Sequence, residues 1–281
     1  HKFPLKTINN HMPLNRWHTN LQDILESIEN GDADLTEIVF HHDLSNLSSE
    51  NEEARPVEEV VTDPSEAPSE DELPILPLRA LVVYPQTGLP LTIGQPRSIR
   101  LIDDVVTSDK RLIGLVTSKN SEIENPSPAD LYQVGTVAMV HRLFRAPDGT
   151  IRLLVQGINR FRLVEFTQTE PYLKARVITD PEKVETGIEI DALARNARDQ
   201  FAHIAEMIPS IPRELIGSIT SLDDPLQTVY TIANFQRMEL RDAQEILEID
   251  SVHMKLHKLV GILTRESEVL DLGQKIQNEA R

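Results

Sequence analysis

Two histidines with the spacing of metal ligands stand near the end of this chain. His253 and His257 fall in a segment with helical periodicity, so both imidazoles lie on one helix face. A zinc site needs at least one further ligand, and the sequence places none beside this pair. Lys255 and Lys258 would also repel a cation. We therefore interpret the pair as surface histidines and predict no metal site.

The sequence patterns that serve nucleotide binding and acyl transfer are also missing. The 11 glycines form no GxxxxGKS or GxxxxGKT loop and no GxGxxG loop, and there is no GxSxG elbow. Because the chain lacks cysteine, it has neither a thiol nucleophile nor a disulfide framework. We predict no catalytic and no cofactor-binding residues, and we expect that the chain alone is not an enzyme.

A set of basic residues lies on neighbouring predicted strands. Arginines on a sheet can contact phosphates, but few aromatic side chains are available here to stack on bases. Glu165 and Asp180 also dilute the positive field. We predict a solvated strand face paired with acids, and nucleic-acid binding remains the disfavoured alternative. The basic residues are Arg142, Arg145, Arg152, Arg160, Arg162, Lys174 and Arg176.

Charge divides the chain into an acidic first quarter and a nearly balanced remainder. Residues 1–72 hold 17 acids and 4 bases (−13) of a net charge of −17, which leaves −4 for residues 73–281. The length of 281 residues suggests about two domains, and the 40% hydrophobic content suffices for their cores. No run of about 18 apolar residues is present, so we predict no membrane span.

The first 72 residues contain little that could form a core. We expect residues 1–11 to derive from a vector, with Met12 as the natural start; the alternative is a native, unstructured segment. Residues 12–42 predict a short extension with one helix that ends at Asn30-Gly31. Residues 43–72 hold 11 acids and one base, which predicts a disordered linker, or alternatively an acidic docking tail.

Residues 73–180 have the pattern of a β-domain. The proline-punctuated run LPILPLR at 73–79 predicts edge strands rather than a helix. GTVAMVHRLFR and TIRLLVQ flank Pro147-Asp148-Gly149, which predicts a hairpin, and RFRLVEF and YLKARVIT form a second pair of strands. A helix is predicted over 96–107 and a short helical turn over 128–134. We predict an α+β fold with a strongly bent, largely antiparallel sheet.

Residues 181–281 change to helical periodicity. A helix is predicted up to residue 208, followed by short helices near 213–221, from 225 and over 240–247, so that 181–250 form a bundle. Residues 251–281 predict one long helix whose apolar stripe continues through Leu272 and Ile276. We expect something outside this chain to bury that end, and we expect a longer polypeptide to continue beyond Arg281.

Residues 73–281 resemble the amino-terminal domain of Lon ATP-dependent proteases. The resemblance implies a PUA-like β-domain, a helical bundle and a long helix that runs toward an ATPase module. Residues 12–72 depart from the family pattern. The motifs in order are LPILPLR at 73–79, VYP at 83–85, LPL at 89–91, LIGLV at 112–116, DLYQVGTVA at 130–138, PDGT at 147–150, Gly157 with Arg160-Phe161, Asp224-Pro225, TIA at 231–233 and QEILE at 244–248.

The resemblance implies a role in substrate recognition and assembly. The chain would capture exposed apolar segments of unfolded or damaged proteins, because apolar contacts tolerate varied sequences. ATP and Mg²⁺ would belong to an ATPase domain, and peptide-bond cleavage to a Ser-Lys protease domain, both absent from this chain. The whole protein would be a hexamer. The expected substrate contacts are exposed apolar residues near the proline-rich loop and on a neighbouring strand: Tyr84, Leu89, Pro90, Leu143 and Phe144.

The resemblance and the residues leave some choices open. A stand-alone LON/PUA-like module that binds nucleic acid or a small ligand is the second hypothesis, and the missing motifs disfavour an intact hydrolase. No arginine-rich presequence is visible, which favours the bacterial cytoplasm over the mitochondrial matrix.

Overall fold

The structure, a computed structural model, describes residues 70–208 and 211–279, in which six strands precede most of the helices. The helix predicted within 12–42 and the predicted linker up to residue 69 lie outside these residues, whereas residues 70–72 begin the first strand. The strands are β1 (Glu70–Leu78), β2 (Gly88–Ile93), β3 (Leu112–Thr117), β4 (Val134–Arg145), β5 (Ile151–Gln168) and β6 (Lys174–Thr179). The helices are α1 (Pro96–Val106), α2 (Ile188–Glu206), α3 (Arg213–Thr220), α4 (Pro225–Phe235), α5 (Leu240–Glu248) and α6 (Val252–Glu279), and a 3-10 turn spans Pro128–Asp130.

The six strands form one mixed sheet in the order β2-β5-β4-β3-β1-β6. Only the β1–β3 pairing is parallel among the six pairings of these strands. Because β6 pairs with β5 as well as with β1, five of the strands close on themselves. The predicted α+β fold with a bent, largely antiparallel sheet is confirmed; the closure was not predicted.

The prolines of β1 are tolerated because the strand changes partner halfway. Residues 70–74 pair with β6, and residues 75–78 pair with β3. Each half therefore has ladder hydrogen bonds along one edge, and a missing N–H at Pro74 or Pro77 can face the other edge.

The predicted hairpin is present, but the following strand is longer than expected. Gly149 has a φ of 86°, which suits a turn residue without Cβ, and Arg145 pairs with Ile151 across the turn. The two strands predicted within 150–166 are one strand of 18 residues, β5. Its first part pairs with β2 and its last part with β6, so β5 links the two ends of the sheet.

Two glycines allow segments to approach more closely than any side chain would permit. A Cβ on Gly157 would lie 2.2 Å from the carbonyl oxygen of Tyr84, and one on Gly135 would lie 2.4 Å from that of Leu115. The turn after β1 is therefore pressed against β5, which fixes Tyr84 next to the sheet.

Apolar side chains divide into a sheet core and a helix core. The inner face of α1 packs on the sheet through Leu101, Ile102 and Val105. The helix core lies among α2, α4, α5 and α6 and also takes in Val82 and Tyr84 from the β-part. The first half of α6 is buried in that core, whereas Leu272 and Ile276 near its end are each 58% exposed.

Local signals explain the helix boundaries. The Asp224 side chain accepts a hydrogen bond from the Gln227 N–H at 2.7 Å, and Pro225 follows at the first helical position, as predicted for α4. Across the described residues, no helix combines the length and apolar character needed to cross a lipid bilayer.

Candidate functional site

The five predicted contact residues do not share one surface. Tyr84 is 1% exposed and Leu89 is 4% exposed, so the expectation that they are exposed is wrong. Tyr84 is covered by the helices, and its ring stacks on that of Tyr230 with centroids 5.4 Å apart. Leu89 belongs to the core between the sheet and α1.

Leu143 and Phe144 point to opposite faces of β4. Leu143 pairs with the buried Leu153 of β5 and packs against the sheet core. Phe144 pairs with Arg152 on the other face and is 39% exposed. Of these two neighbours, only Phe144 can present an aromatic ring to a ligand.

Four apolar side chains share the outward face of β2, β5 and β4. Leu154 stands between the buried Leu153 and Val155, and it pairs with Pro90 of β2. Met139 is 36% exposed on the same face of β4. We call this set the outer strand surface; its residues are Pro90, Met139, Phe144 and Leu154.

Sequence reasoning found only half of the outer strand surface. Pro90 and Phe144 were predicted contacts, whereas Met139 and Leu154 were missed. The alternation of buried and open positions along β4 and β5 was the signal that could have revealed them.

Cationic side chains interrupt the outer strand surface. Arg142 stands opposite Leu154, and Arg152 stands between Phe144 and Thr92 in the cross-strand register. The surface thus combines apolar groups with guanidinium groups along three adjacent strands, an arrangement that offers both contact area and hydrogen-bond donors to an extended chain.

Arg145, Arg162 and Arg176 are partly exposed and paired with acids, as predicted, whereas the prediction of a solvated position is wrong for Arg160, which is buried. Lys174 lies 5.8 Å from the ring centroid of Tyr172. Ion pairing reduces the charge available to phosphates, so these residues give the nucleic-acid alternative no support. The ion pairs are Arg145–Asp103, Arg160–Asp180, Arg160–Asp250, Arg162–Asp180, Arg162–Asp250 and Arg176–Glu165.

A buried guanidinium joins the sheet to the helices. The side chain of Arg160 on β5 is 0% exposed, and its Nη1 donates to the three carbonyl oxygens of residues 247–249 at 3.0–3.1 Å. Its Nη2 pairs with the carboxylates of Asp180 at 3.1 Å and Asp250 at 2.7 Å. The hydrogen bond from Arg160 lowers the pKa of Asp250. The guanidinium therefore satisfies the carboxyl end of α5 and two acids at once.

A second buried cation lies beside it. Nζ of Lys255 donates to the carbonyl oxygens of Ile246 at 2.5 Å and Leu247 at 3.0 Å and lies 4.9 Å from the Tyr230 ring centroid. Burial, and to a smaller extent the charge of the neighbouring Arg160, lowers the pKa of Lys255 to about 7. Sequence reasoning missed Arg160 as a link between the sheet and the helices and Lys255 as a link between α6 and α5, although Lys255 follows Val252 by three residues on the buried seam of α6.

The depressed pKa of Lys255 predicts a pH-dependent stability. Above about pH 7 the folded chain holds Lys255 neutral, while the unfolded chain keeps it protonated to about pH 10, so unfolding takes up a proton. Stability should therefore rise across this window, by at most about 1.4 kcal/mol per pH unit.

Replacement of this lysine isolates its contribution. In urea unfolding between about pH 7 and pH 9.5, Lys255→Met should lose stability relative to wild type as the pH rises. Parallel stability curves for the two chains would show that Lys255 keeps an ordinary pKa.

The chain matches the model of one protein family, described as the ATP-dependent protease La (LON) substrate-binding domain, over residues 72–265. The Lon protease of Dictyoglomus thermophilum is 44% identical over 209 residues, which cover 74% of this chain and 26% of that protein. Lon protease 1 of Herpetosiphon aurantiacus is 43% identical over 216 residues, with 75% and 26% covered. The chain thus spans about a quarter of the length of these relatives.

A solved structure shows the same fold. The N-terminal domain of Mycobacterium avium complex Lon protease superposes with a TM-score of 0.58 at 18% identity. The match covers 69% of this chain and 98% of that chain.

Proposed function

Since this chain belongs to the family of Lon substrate-binding domains, we propose that it captures exposed apolar segments of unfolded or damaged proteins. The observation that supports this most strongly is the outer strand surface, where apolar side chains from three adjacent strands face outward. Phe144 and Met139 are its most exposed members.

Unfolded proteins offer apolar side chains in no fixed order. A surface that binds them must gain affinity from contacts that depend little on direction, and burial of apolar area meets this requirement. The arginines between the apolar residues add donors for backbone carbonyl groups of an extended client. The surface therefore suits many sequences with modest affinity for each.

The buried links between the sheet and the helices suit a domain that hands on a bound client. Arg160 and Tyr84 both connect the β-part to α5, through hydrogen bonds to residues 247–249 and to the Ala243 carbonyl oxygen. These hydrogen bonds hold the sheet rigidly to α5. A mechanical force that a bound client exerts on the outer strand surface would therefore be transmitted to the helices.

The remaining parts of the proposal concern the whole protein. ATP and Mg²⁺ would bind an ATPase domain, cleavage would occur in a Ser-Lys protease domain, and six copies would assemble in the bacterial cytoplasm. The exposed end of α6, with Leu272 and Ile276, would pack against those modules or against other copies of the chain.

Loss of apolar contacts from the outer strand surface should weaken client binding. The double substitution Met139→Ser with Phe144→Ser is expected to lower affinity for a fluorescently labelled β-casein on the order of tenfold. Burial of two partly exposed side chains contributes roughly 1–2 kcal/mol in total, and 1.4 kcal/mol is a factor of ten. Fluorescence anisotropy titration measures this change.

Val164→Ser is the matched control. Val164 is 45% exposed and lies on β5 at the irregular part of its pairing with β6, away from the outer strand surface. Its substitution should leave casein affinity within a factor of about two. Equal losses for the control and the double variant, or no loss for the double variant, would contradict the proposal.

A further inference from the structure

Three side chains with metal-binding atoms meet where α2 and α6 begin. Glu189 is the second residue of α2, and His253 and His257 lie in the first two turns of α6. One ligand atom from each side chain can be chosen so that all three lie within 4.8 Å of one another. We propose that Glu189, His253 and His257 bind a divalent transition-metal ion, with Zn²⁺ as the best match.

The distances are close to those of a zinc site. Nε2 of His253 lies 3.0 Å from Oε1 of Glu189, and the two imidazole centroids are 4.7 Å apart. Tetrahedral Zn²⁺ with bonds of about 2.0–2.1 Å holds its ligands roughly 3.3 Å apart. The ligand atoms all lie within 4.8 Å of one another, so none of their separations must close by more than about 1.5 Å, which rotation of the exposed Glu189 and His257 side chains can supply.

The donor set is chemically suited to zinc. Two imidazoles and one carboxylate are a zinc-binding combination that leaves a fourth position for water or another ligand. His253 Nε2 is screened from solvent and lies 3.0 Å from Oε1 of Glu189, so a metal ion bound by both atoms would take the place of the proton between them.

The two lysines expected to repel a cation are otherwise engaged. Lys255 is buried, and its Nζ donates to the carbonyl oxygens of Ile246 and Leu247 at the end of α5. Lys258 pairs with Asp242 at 2.8 Å and with Glu245 at 2.9 Å. Neither lysine presents a free charge to the cluster, so the electrostatic objection raised by the sequence does not hold.

Neighbouring groups hold the first turn of α6 in place. Glu185 accepts a hydrogen bond from the Ser251 hydroxyl at 2.5 Å and one from the His253 N–H at 3.2 Å. These bonds restrain the backbone that carries His253. Groups that do not bind the metal themselves but hold its ligands in place typically increase metal affinity. A bound ion would then tie the start of α2 to the start of α6.

The sequence alone shows no third donor beside this histidine pair for a topological reason. Glu189 precedes His253 by 64 positions in the chain, and only the packing of α2 against α6 brings them together. No local spacing in the sequence could have linked them.

Zinc titration of the full chain tests the proposal. After removal of metal with a chelator, Zn²⁺ binding is measured by calorimetry and Co²⁺ binding by visible absorption, whose intense d–d bands report tetrahedral coordination. Glu189→Gln, His253→Asn and His257→Asn should each weaken zinc affinity at least about tenfold. Zn²⁺ should also raise the melting temperature of the wild type but not of these variants.

Two controls separate this site from the other histidines. His203→Asn removes a histidine whose Nε2 lies 3.4 Å from Asp271 Oδ1 and which belongs to no group of three metal-binding side chains among the described residues, so it should leave zinc affinity unchanged. His41→Ala with His42→Ala removes the adjacent pair in the amino-terminal region and should also leave the affinity unchanged.

Several outcomes would overturn the proposal. These are wild-type affinity in Glu189→Gln, loss of binding in the His41–His42 variant, or absence of zinc binding by the wild type. Because Glu189 is exposed, its substitution leaves the fold intact and keeps the test decisive even if a histidine variant unfolds.

Discussion

Replacement of Arg160 by leucine is expected to lower the free energy of unfolding by about 3–5 kcal/mol. The substitution removes the Arg160 donor from the carbonyl oxygens of Asp180, Glu248 and Ile249, and it leaves the Asp180 and Asp250 carboxylates paired with the exposed Arg162 alone. A buried charge or carbonyl that loses its partner costs more than the interaction itself contributed. Urea unfolding followed by circular dichroism measures the loss.

Arg162→Leu is the matched control for this experiment. Arg162 pairs with the same two carboxylates, but its side chain is 44% exposed. Water can replace its hydrogen bonds, so we expect a loss of no more than about 1 kcal/mol. Equal effects of the two substitutions would mean that the Arg160 network does not hold the sheet to the helices.

Truncation of Tyr84 to alanine is expected to cost about 3–5 kcal/mol of stability, the usual range for a buried aromatic side chain. Tyr84 fills the junction between the turn after β1 and the helix core, stacked on Tyr230. Its hydroxyl donates to the Ala243 carbonyl oxygen at 2.8 Å, so Tyr84→Phe should lose only about 1 kcal/mol.

The same variants decide whether Tyr84 touches clients. Since Tyr84 is buried, Tyr84→Phe should bind β-casein like the wild type at temperatures where both are folded. A tenfold loss of casein affinity in Tyr84→Phe, without a change in the melting temperature, would restore the contact role that the sequence suggested.

Local patterns predicted most of the elements. The helices after residue 187 follow from their apolar spacing, and α4 follows from Asp224-Pro225. The β4–β5 hairpin follows from Asp148-Gly149. These signals involve neighbouring residues, which is why one sequence suffices to read them.

Long-range packing accounts for what the sequence did not reveal. The sequence suggested two strands where β5 is continuous, because the pairing of one strand with β2 at its start and β6 at its end joins segments far apart in the chain. The burial of Tyr84 depends on coverage by helices more than a hundred residues later in the chain. The sites of Arg160 and Glu189 depend in the same way on contacts between distant segments.

The predicted contact residues also divide into those whose exposure follows from a local pattern and those whose burial depends on long-range packing. An apolar turn next to prolines resembled an exposed loop, yet Tyr84 and Leu89 face two different cores. Pro90 is partly exposed and Phe144 is exposed, because strand alternation turns each of them away from the face that packs against the core. Alternation is a local property, whereas coverage of a turn by another element is not.

Photo-crosslinking of the chain to β-casein that carries photoreactive groups, followed by mapping of the attachment sites, tests the proposed client surface most directly. We predict attachment at Met139, Phe144 and their neighbours on β2 and β5. Attachment confined to residues 1–72, or spread evenly over the helices, would contradict the account.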